Sequence, residues 1–379
     1  MFFSRLIKKL AWNSYSRSLT IWLMRLLPLN ASKVMLTSWS GASYSCNPRV
    51  IAESLANDGG WDIRYALLNV SCENMKPGIK AVEIGSLEYY LSLYTSRFII
   101  TNTHLSELYF PYKKRGQVYI FTGHGGSGIK KIEFDAPKLP ADYLKSAATD
   151  TSRINLFLSN SSYRTRVIRS AYRYNGEVLV KGTPRNDMLV LQPPKENDAD
   201  KRYLIYAPTF RNGKLVDIYR FNIDRLVEAL GNRFGGEWYI RVSSHPNMRS
   251  YYKTIYSFDH PRMIDIGDDD LQNYIPSSDA LITDYSSSEM DFYLLRRPVF
   301  QLCKDRTDYD RGFYINPEDL PFPFAETEDQ LISNILSFDN DRYLRDLDRF
   351  NRDVIGLNET GHATEAVVQW MHNHTKDNS

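Results

Sequence analysis

The sequence predicts an α/β protein of two parallel-sheet domains that face each other across a cleft. Three observations indicate this fold. Short β-rich runs alternate with helical stretches from residue 34 onward, which is typical of parallel strands joined by crossover helices. A polar segment with two prolines, residues 191–201, interrupts the alternation before it resumes. Polar and glycine residues then collect where the strands end, and ligands bind at such ends in open parallel sheets.

Composition agrees with a folded chain of two domains. Hydrophobic residues make up 42% of the 379 residues and charged residues 24%, as in globular proteins. The net charge of +2 is uneven, because residues 1–52 carry seven Lys or Arg and no Asp or Glu. The basic surplus is therefore N-terminal, and a broad nucleic-acid-binding face is not expected.

Cysteine and carboxylate usage gives no metal or disulfide signal. Cys46, Cys72 and Cys303 are too few and too scattered for a disulfide framework or a zinc site. They fit a reducing, cytoplasmic setting. No pair of carboxylates is spaced convincingly for Mg²⁺, so we predict no metal ligand, and a Mg²⁺ requirement stays open.

Residues 1–33 form a basic segment that is rich in aromatic residues. Its second apolar run, residues 19–29, contains Arg25 and Pro28 and is too short to span a bilayer. We expect an amphipathic segment that lies in the interface of an anionic inner leaflet. The alternative is an N-terminal helix packed on the core, with its Lys and Arg in solvent.

The first α/β domain is expected over residues 34–190. Its predicted strands are Val34–Trp39, Ile63–Val70, Phe98–Thr103, Val118–Phe121, Leu156–Ser159 and Val178–Lys181. Helices are predicted between them at residues 48–55, 87–96 and 161–174.

The second α/β domain is expected over residues 202–345. Its predicted strands are Tyr203–Tyr206, Trp238–Val242, Met263–Ile266, Ala280–Ile282 and Val299–Leu302. Helices are predicted at residues 223–230, 271–276, 286–295 and 327–336. Residues 346–379 form the C-terminal region, and helices are expected near 341–357 and 362–374. No strand is followed by a Gly-x-Gly-x-x-Gly fingerprint, so dinucleotide binding is unsupported.

The strand at 280–282 ends in a hydroxyl-rich turn. Thr283 and Asp284 follow it, and three serines, 286–288, open a predicted helix. Free amides beside hydroxyl donors bind phosphate oxygens at such a place. The alternative is a capping box, with Ser286 as the cap and Glu289 three residues later.

Two histidines also lie at predicted strand ends. His124 stands between glycines, which let a backbone approach a ligand closely, and Lys130 and Lys131 follow it. His245 follows the strand at 238–242, and Pro246 fixes the turn after it. Because they belong to opposite halves, the sequence predicts two imidazoles that face each other across a cleft.

Two further strand ends carry an arginine, whose planar fork suits phosphate oxygens. Arg211 opens the second half beside Thr209, and Arg185 closes the first beside Asn186. For Arg185 the alternative is a salt bridge with Asp187 or another contact at the hinge. Asp310 and Arg311 begin a loop that we expect to cover the site.

Taken in order, these motifs resemble the CDP-glycerol glycerophosphotransferase family of teichoic-acid and capsule synthesis. The resemblance runs through residues 44–49, 124–135, 184–187, 206–211, 245–246, 282–287 and 310–314. It implies a GT-B-like enzyme of two Rossmann-like domains, associated with the cytoplasmic face of the cell membrane. It further implies transfer of glycerol phosphate from CDP-glycerol to a lipid-linked hydroxyl, with release of CMP.

The resemblance assigns site residues as well. The two motif histidines correspond to His124 and His245, and the phosphate-binding loop to residues 283–287. We predict that substrate is bound by Gly125, Lys130, Lys131, Arg185, Asn186, Asp187, Thr209, Arg211, Thr283, Asp284, Ser286, Ser287, Ser288, Asp291, Asp310 and Arg311. This chain reads His-Gly-Gly-Ser-Gly-Ile-Lys-Lys where the family usually reads His-Gly-Thr-Pro-Leu-Lys-Lys. The longer, proline-free loop leaves the acceptor and the transferred polyol open.

The expected chemistry is phosphoryl transfer, in which positioning and charge neutralisation dominate. We expect His124 to take the acceptor proton, although the two histidines could exchange roles. His245, Arg211 and the serine amides would then hold the pyrophosphate. Three alternatives stay open: a CDP-ribitol-dependent transferase, a glycosyltransferase that uses a nucleotide sugar, and a peripheral membrane protein that binds nucleotide without turnover. The choice between priming and polymerisation also stays open.

Overall fold

A computed structural model describes most of the chain. The described residues are 22–70, 75–105, 113–126, 128–191, 200–209, 211, 216–243, 260–267, 269–307, 309 and 311–375. The first two-thirds of the basic N-terminal segment, His245 with Pro246, and Asp310 lie outside them. The predictions made for those residues are therefore not tested here.

The first sheet contains seven parallel strands. They are β1 (Asn30–Thr37), β2 (Asp62–Leu67), β3 (Ile79–Glu83), β4 (Ser96–Thr101), β5 (Val118–Phe121), β6 (Leu156–Ser159) and β7 (Glu177–Val180). Their order across the sheet is β3-β2-β1-β4-β5-β6-β7. The order reverses between β1 and β4, and this reversal is the position at which doubly wound sheets open a ligand crevice.

Five helices accompany this sheet among the described residues: α1 (Cys46–Asp58), α2 (Leu87–Thr95), α3 (Ala141–Thr151), α4 (Ser162–Ala171) and α5 (Asp187–Leu191). Serine side chains start two of them. Ser86 accepts a hydrogen bond from the Tyr89 amide, and Ser161 accepts one from the Arg164 amide. Each bond satisfies an amide that the first turn of a helix leaves free.

The second sheet contains six parallel strands. They are β8 (Lys201–Ala207), β9 (Glu237–Val242), β10 (Met263–Asp265), β11 (Ala280–Thr283), β12 (Val299–Leu302) and β13 (Phe324–Ala325), in the order β10-β9-β8-β11-β12-β13. The same reversal occurs here, between β8 and β11. The described helices are α6 (Ile223–Phe234), α7 (Glu289–Phe292), α8 (Glu328–Leu336), α9 (Asn340–Phe350) and α10 (Ala363–Thr375).

Burial explains why the central strands are uniformly apolar. Every residue of β4, β5, β6, β11 and β12 is buried, because helices cover both faces of a parallel sheet. This pattern is what the short apolar runs of the sequence predicted. The α/β fold with two parallel-sheet domains is confirmed.

Several elements differ from the sequence-based prediction. β3 was not predicted, because the edge strand Ile79–Glu83 is half polar, and β13 was missed because it has only two residues. α3 was missed as well. The helix expected at 271–276 is only a 3-10 turn, Leu271–Asn273.

The C-terminal part of the chain returns to the first domain. The Asn358 amide donates to the carbonyl of Asn160, at 2.7 Å, and α10 packs against α1. The last helix therefore covers the first domain although it follows the second in sequence. In the part of the chain that the structure describes, no helix is long and apolar enough to cross a bilayer.

Candidate active site

His124 lies just beyond the end of β5, on the first domain. Gly123 precedes it with a φ of +62°, a conformation that side chains rarely tolerate, and this turn directs the chain into the cleft. Nδ1 of His124 lies 3.2 Å from the carbonyl oxygen of Asn102. Because a carbonyl can only accept, Nδ1 carries the proton, and Nε2 is left as an unprotonated acceptor.

The surroundings of His124 keep its ring neutral. The side chain of His124 is exposed, although protein atoms, including the Trp39 ring, lie close to its imidazole. Desolvation by these atoms lowers the pKa of His124 to about 4, the positive charges of Arg185 and Arg164 act in the same direction, and the hydrogen bond to the Asn102 carbonyl opposes the shift. At neutral pH the ring is therefore unprotonated, as a general base must be.

Two buried asparagines that were not predicted as site residues hold the histidine loop. Asn47 is fully buried at the start of α1; its Nδ2 donates to the Gly123 carbonyl at 3.0 Å. Its Oδ1 accepts the Arg185 amide, also at 3.0 Å. Asn102 supplies the carbonyl that binds His124. Their signal in the sequence is weak: an Asn-Pro pair for Asn47 and a polar residue after a strand for Asn102.

The serine loop lies on the second domain, between β11 and α7. Ser286 and Ser287 are partly exposed, and within the described residues their amides have no hydrogen-bond partner. The Ser288 hydroxyl contacts the Ser286 hydroxyl at 3.0 Å. Two free amides and adjacent hydroxyls are donors suited to phosphate oxygens.

The capping-box alternative for this loop is wrong. α7 begins at Glu289 after Ser288, and no side chain caps it. Glu289 is fully buried and accepts a hydrogen bond from Gln301 at 3.1 Å. Burial raises the pKa of Glu289 well above its ordinary value, so the side chain belongs to the core and not to a helix cap.

The glycine loop of the first domain meets the serine loop of the second. A Cβ atom built on Gly125 would lie 3.2 Å from the Ser287 hydroxyl oxygen, a contact that leaves little room for a side chain. Residue 125 follows His124 directly. The imidazole and the serine donors therefore lie on adjacent walls of one cleft.

A short antiparallel pairing joins the two domains beside this contact. The Lys131 amide donates to the Gly312 carbonyl at 3.1 Å, and the Tyr314 amide donates to the Ile129 carbonyl at 2.8 Å. Lys130 lies between these bonds and pairs with Phe313. The loop that contains Arg311 is thus held against the lysine pair.

Lys130 is the cation best placed for an anionic ligand. Burial lowers its pKa to about 8, although the carboxylate of Asp284 opposes this shift. In the described part of the chain its ammonium group has no hydrogen bond or ion pair. Lys131 is partly exposed, and Arg311 is exposed.

Arg211 binds carboxylates of its own domain. Its guanidinium donates to Asp305 and to Asp284, the latter at 2.9 Å, and to the Thr209 carbonyl at 2.7 Å. Burial alone would raise the pKa of Asp305, but the hydrogen bond and the positive charge of Arg211, together with the hydrogen bond from Tyr285, outweigh burial and lower the pKa. Four of the five guanidinium N–H groups are engaged, so this arginine holds the strand ends together and leaves one donor for a ligand.

Thr209, Thr283 and Asp284 also bind within the fold. The Asp284 carboxylate accepts the Thr209 amide at 2.8 Å. The Thr283 hydroxyl donates to the Ala207 carbonyl at 2.6 Å, which ties β11 to β8. Among the described residues the buried Thr209 hydroxyl has no partner, so it is the polar group of these three residues that is available to a ligand.

Arg185 and Asn186, on the first domain, both bind the second domain. Both donate to Asp291, Arg185 through an ion pair that is almost fully buried and Asn186 at 2.8 Å. Asp187 instead accepts the Ala363 and Thr364 amides, at 2.9 and 2.8 Å, and caps α10. The partner of Arg185 is thus Asp291 across the cleft and not Asp187.

The structure therefore divides the described site residues into two groups, and Thr209 belongs partly to each, because its amide binds Asp284 while its hydroxyl has no partner among the described residues. One group lines the cleft: His124, Gly125, Lys130, Lys131, Ser286, Ser287, Ser288 and Arg311. The other holds the fold or the interdomain contact: Arg185, Asn186, Asp187, Arg211, Thr283, Asp284 and Asp291. No group of three His, Cys, Asp or Glu that could hold a metal ion occurs among the described residues.

Comparison with known proteins identifies the family. A model of the family described as CDP-glycerol:poly(glycerophosphate) glycerophosphotransferase matches residues 19–373. The chain belongs to this family. The resemblance inferred from the motifs is thereby confirmed, and the chain is an enzyme of the glycerophosphotransferase kind.

Two relatives and one solved structure match along nearly their whole length. The teichoic acid poly(glycerol phosphate) polymerase of Bacillus spizizenii strain W23 is 28% identical over 93% of this chain and 95% of its own. The teichoic acid ribitol-phosphate primase of the same organism is 25% identical over 98% and 97%. A structure of the H444N variant of the wall teichoic acid polymerase TagF, soaked with CDPG, superposes with a TM-score of 0.80 at 26% identity and covers 95% of this chain and 93% of that one.

Proposed function

We propose that this glycerophosphotransferase moves glycerol phosphate from CDP-glycerol to an acceptor hydroxyl and releases CMP, in the synthesis of a teichoic acid or capsular polymer. Membership of the family supports CDP-glycerol as the donor. One observation carries the proposed reaction. His124 is neutral with Nε2 free, and the next residue, Gly125, lies against Ser287.

In the proposed reaction the acceptor oxygen attacks the β-phosphorus of CDP-glycerol. Nε2 of His124 removes the proton of the attacking hydroxyl. The bond between the β-phosphorus and the bridging oxygen breaks, and CMP leaves with the electron pair. Glycerol phosphate is then joined to the acceptor through a phosphodiester bond.

The proposed site neutralises the pyrophosphate with donors from both domains. Lys130 and Arg311 supply positive charge, and the free amides of Ser286 and Ser287, with the hydroxyls of the serine loop, supply hydrogen bonds. His245, at the end of β9, is proposed to stabilise the departing CMP. A bound Mg²⁺ would be a second source of positive charge, and turnover in the presence of a chelator tests whether one is needed.

Donor profiling tests the proposal. The protein is incubated with a membrane preparation that contains the acceptor and with radiolabelled CDP-glycerol, CDP-ribitol or a UDP-sugar. Release of CMP only with CDP-glycerol supports the proposal. Consumption of a UDP-sugar would indicate a glycosyltransferase, and nucleotide binding without CMP release would indicate a binding protein. CDP-ribitol is the second candidate donor, because a ribitol-phosphate primase is among the relatives.

We further infer that the protein acts at the cytoplasmic face of the cell membrane on a lipid-linked acceptor. Residues 22–27 expose apolar side chains, with Trp22 54% and Leu26 69% exposed. Lys114 binds the Leu27 carbonyl and also the Tyr94 carbonyl, so this segment lies against α2. The exposed Leu87 and Leu91 of α2 extend the apolar surface. Apolar side chains next to lysine and arginine suit an anionic leaflet.

Vesicle sedimentation tests this inference. Replacement of both Trp22 and Leu26 by Ser should release the protein from vesicles that contain anionic lipid. The matched control replaces the exposed Leu336 of α8 by Ser and should leave binding unchanged. Equal sedimentation of all three proteins would contradict the inference.

A further inference from the structure

Trp39 follows β1 at the point where the strand order of the first sheet reverses. Its φ is +51° and that of Ser40 is +53°, so two adjacent residues with side chains adopt the left-handed conformation. Gly41 continues the turn with a φ of +87°. Backbone in this region is unfavourable for residues with a Cβ, and it persists where surrounding contacts hold it.

Side chains from the end of β4 hold this turn. The Trp39 amide donates to Oδ1 of Asn102 at 2.8 Å, and the Ser40 amide donates to the Thr103 hydroxyl at 3.2 Å. Asn102 is the same residue whose carbonyl binds Nδ1 of His124. One buried asparagine therefore fixes both the tryptophan and the histidine.

The indole of Trp39 lies against the imidazole of His124. The ring centroids are 4.7 Å apart, and the planes are inclined at 45°. The side chain is nevertheless 39% exposed, and within the described residues its indole N–H donates to no group. A tryptophan that served only the core would bury this surface and pair this donor. The free surface is therefore available to a ligand that reaches Nε2 of His124.

We propose that Trp39 forms the wall of the acceptor subsite and favours an acceptor whose reacting hydroxyl belongs to an uncharged sugar ring. The inference rests on the proposed function, in which the serine loop holds the donor phosphates on the opposite wall. The face of an indole carries partial negative charge. It therefore attracts the C–H groups of a sugar ring and repels the phosphodiester of a glycerol phosphate chain. Trp39 is a specificity-determining residue in this account, and His124 remains the base.

Steady-state kinetics with two synthetic lipid-linked acceptors test the inference. One acceptor ends in a single pyranose ring and the other in a glycerol phosphate unit. Wild-type protein should prefer the pyranose acceptor. Trp39→Ala should raise the KM for that acceptor by roughly 3- to 10-fold, which corresponds to the loss of one aromatic contact. Trp39→Phe should recover most of the loss, and the KM for CDP-glycerol should stay within about 2-fold.

The matched control is Trp370→Ala. Trp370 is also partly exposed, but it bonds Glu177 at the amino end of β7, at the sheet edge opposite to the strand ends of the site. The Trp370→Ala variant should leave the KM values for both acceptors unchanged. An unchanged acceptor KM in Trp39→Ala, equal losses on both acceptors, or a raised KM for CDP-glycerol would overturn the inference.

A binding measurement separates this inference from the proposed function. Titration of a soluble methyl pyranoside should change the tryptophan fluorescence of wild-type protein but not that of Trp39→Phe. This change requires no turnover. If wild-type protein released no CMP with either acceptor, the proposed function would fail, and the fluorescence result would still support or overturn the role of Trp39.

Discussion

At the scale of single residues, the candidate site depends on buried asparagines that hold an exposed histidine in place. His124 is usable as a base because the Asn102 carbonyl fixes its tautomer, and because desolvation and nearby positive charges keep its ring neutral. Asn47 binds the Gly123 carbonyl in the loop before His124 and also the Arg185 amide. Such positioning residues contribute to catalysis only through the geometry that they maintain.

Replacement of Asn47 by Ala should strongly destabilise the protein. The change leaves the Arg185 amide without its partner, at a cost of about 1–3 kcal/mol, and removes one of the two hydrogen bonds that the Gly123 carbonyl accepts, the other coming from Thr122. We expect a loss of about 2–4 kcal/mol in the free energy of unfolding, measured by denaturant titration. Asn373→Ala, at an exposed asparagine of α10, is the control and should change it by less than about 0.5 kcal/mol. A similar small change for both variants would contradict the role of Asn47.

Glu359 should make stability depend on pH. It accepts hydrogen bonds from Asn160 and from the Thr183 amide, and burial raises its pKa from 4.5 to about 7. As pH rises, the unfolded chain releases this proton first, while the folded protein keeps it. The stabilisation that protonated Glu359 gives the folded protein is therefore complete below pH 4.5. It is lost between pH 4.5 and 7, and it does not change further above that range.

The comparison of wild type with Glu359→Gln measures this effect. Their difference in free energy of unfolding isolates Glu359, because the buried Glu289 titrates in both proteins. Wild type should lose stability relative to the glutamine variant as pH rises from 4.5 to 7. Parallel pH profiles would show that Glu359 is not the titrating group.

At the scale of elements, strand ends and loops of opposite domains meet at several places, three of which lie near the site. The glycine loop touches the serine loop, residues 129–131 pair with residues 312–314, and Arg185 binds Asp291. These contacts bring His124 and Lys130 to the serine donors. The site therefore forms from the ends of several strands and not from one motif.

Loss of Asp291 should weaken the interdomain contact. In Asp291→Ala the Arg185 guanidinium stays buried without its partner, which costs about 3–5 kcal/mol for a buried ion pair. The thermal midpoint should fall by several degrees relative to wild type. The matched control is Asp348→Ala, because the Arg296–Asp348 pair has the same chemistry on an exposed surface. Equal thermal midpoints for the two variants would contradict a stabilising role of the Arg185–Asp291 ion pair.

At the scale of the whole molecule, two parallel sheets face each other, and the six strands of the second follow the order of the first six strands of the first. The sequence predicts two parallel sheets because apolar strands and polar strand ends are local features. The partners of buried charges were not predictable. Arg211 and Asp284 look like ligand-binding residues in sequence, yet they bind each other, because only the tertiary fold brings β8 beside β11. The roles of Asn47 and Asn102 were missed for the same reason: their partners lie 76, 138 and 22 positions away in sequence.

The measurement that tests the central claim most directly is the rate of CMP release from saturating CDP-glycerol and acceptor by His124→Ala. General base catalysis is typically worth about 10²–10⁴ in rate, so we predict a loss of that size in kcat with little change in the KM for CDP-glycerol. His362→Ala, at an exposed histidine beside α10, is the control and should retain the wild-type rate. A His124→Ala rate within a few-fold of wild type would contradict the account.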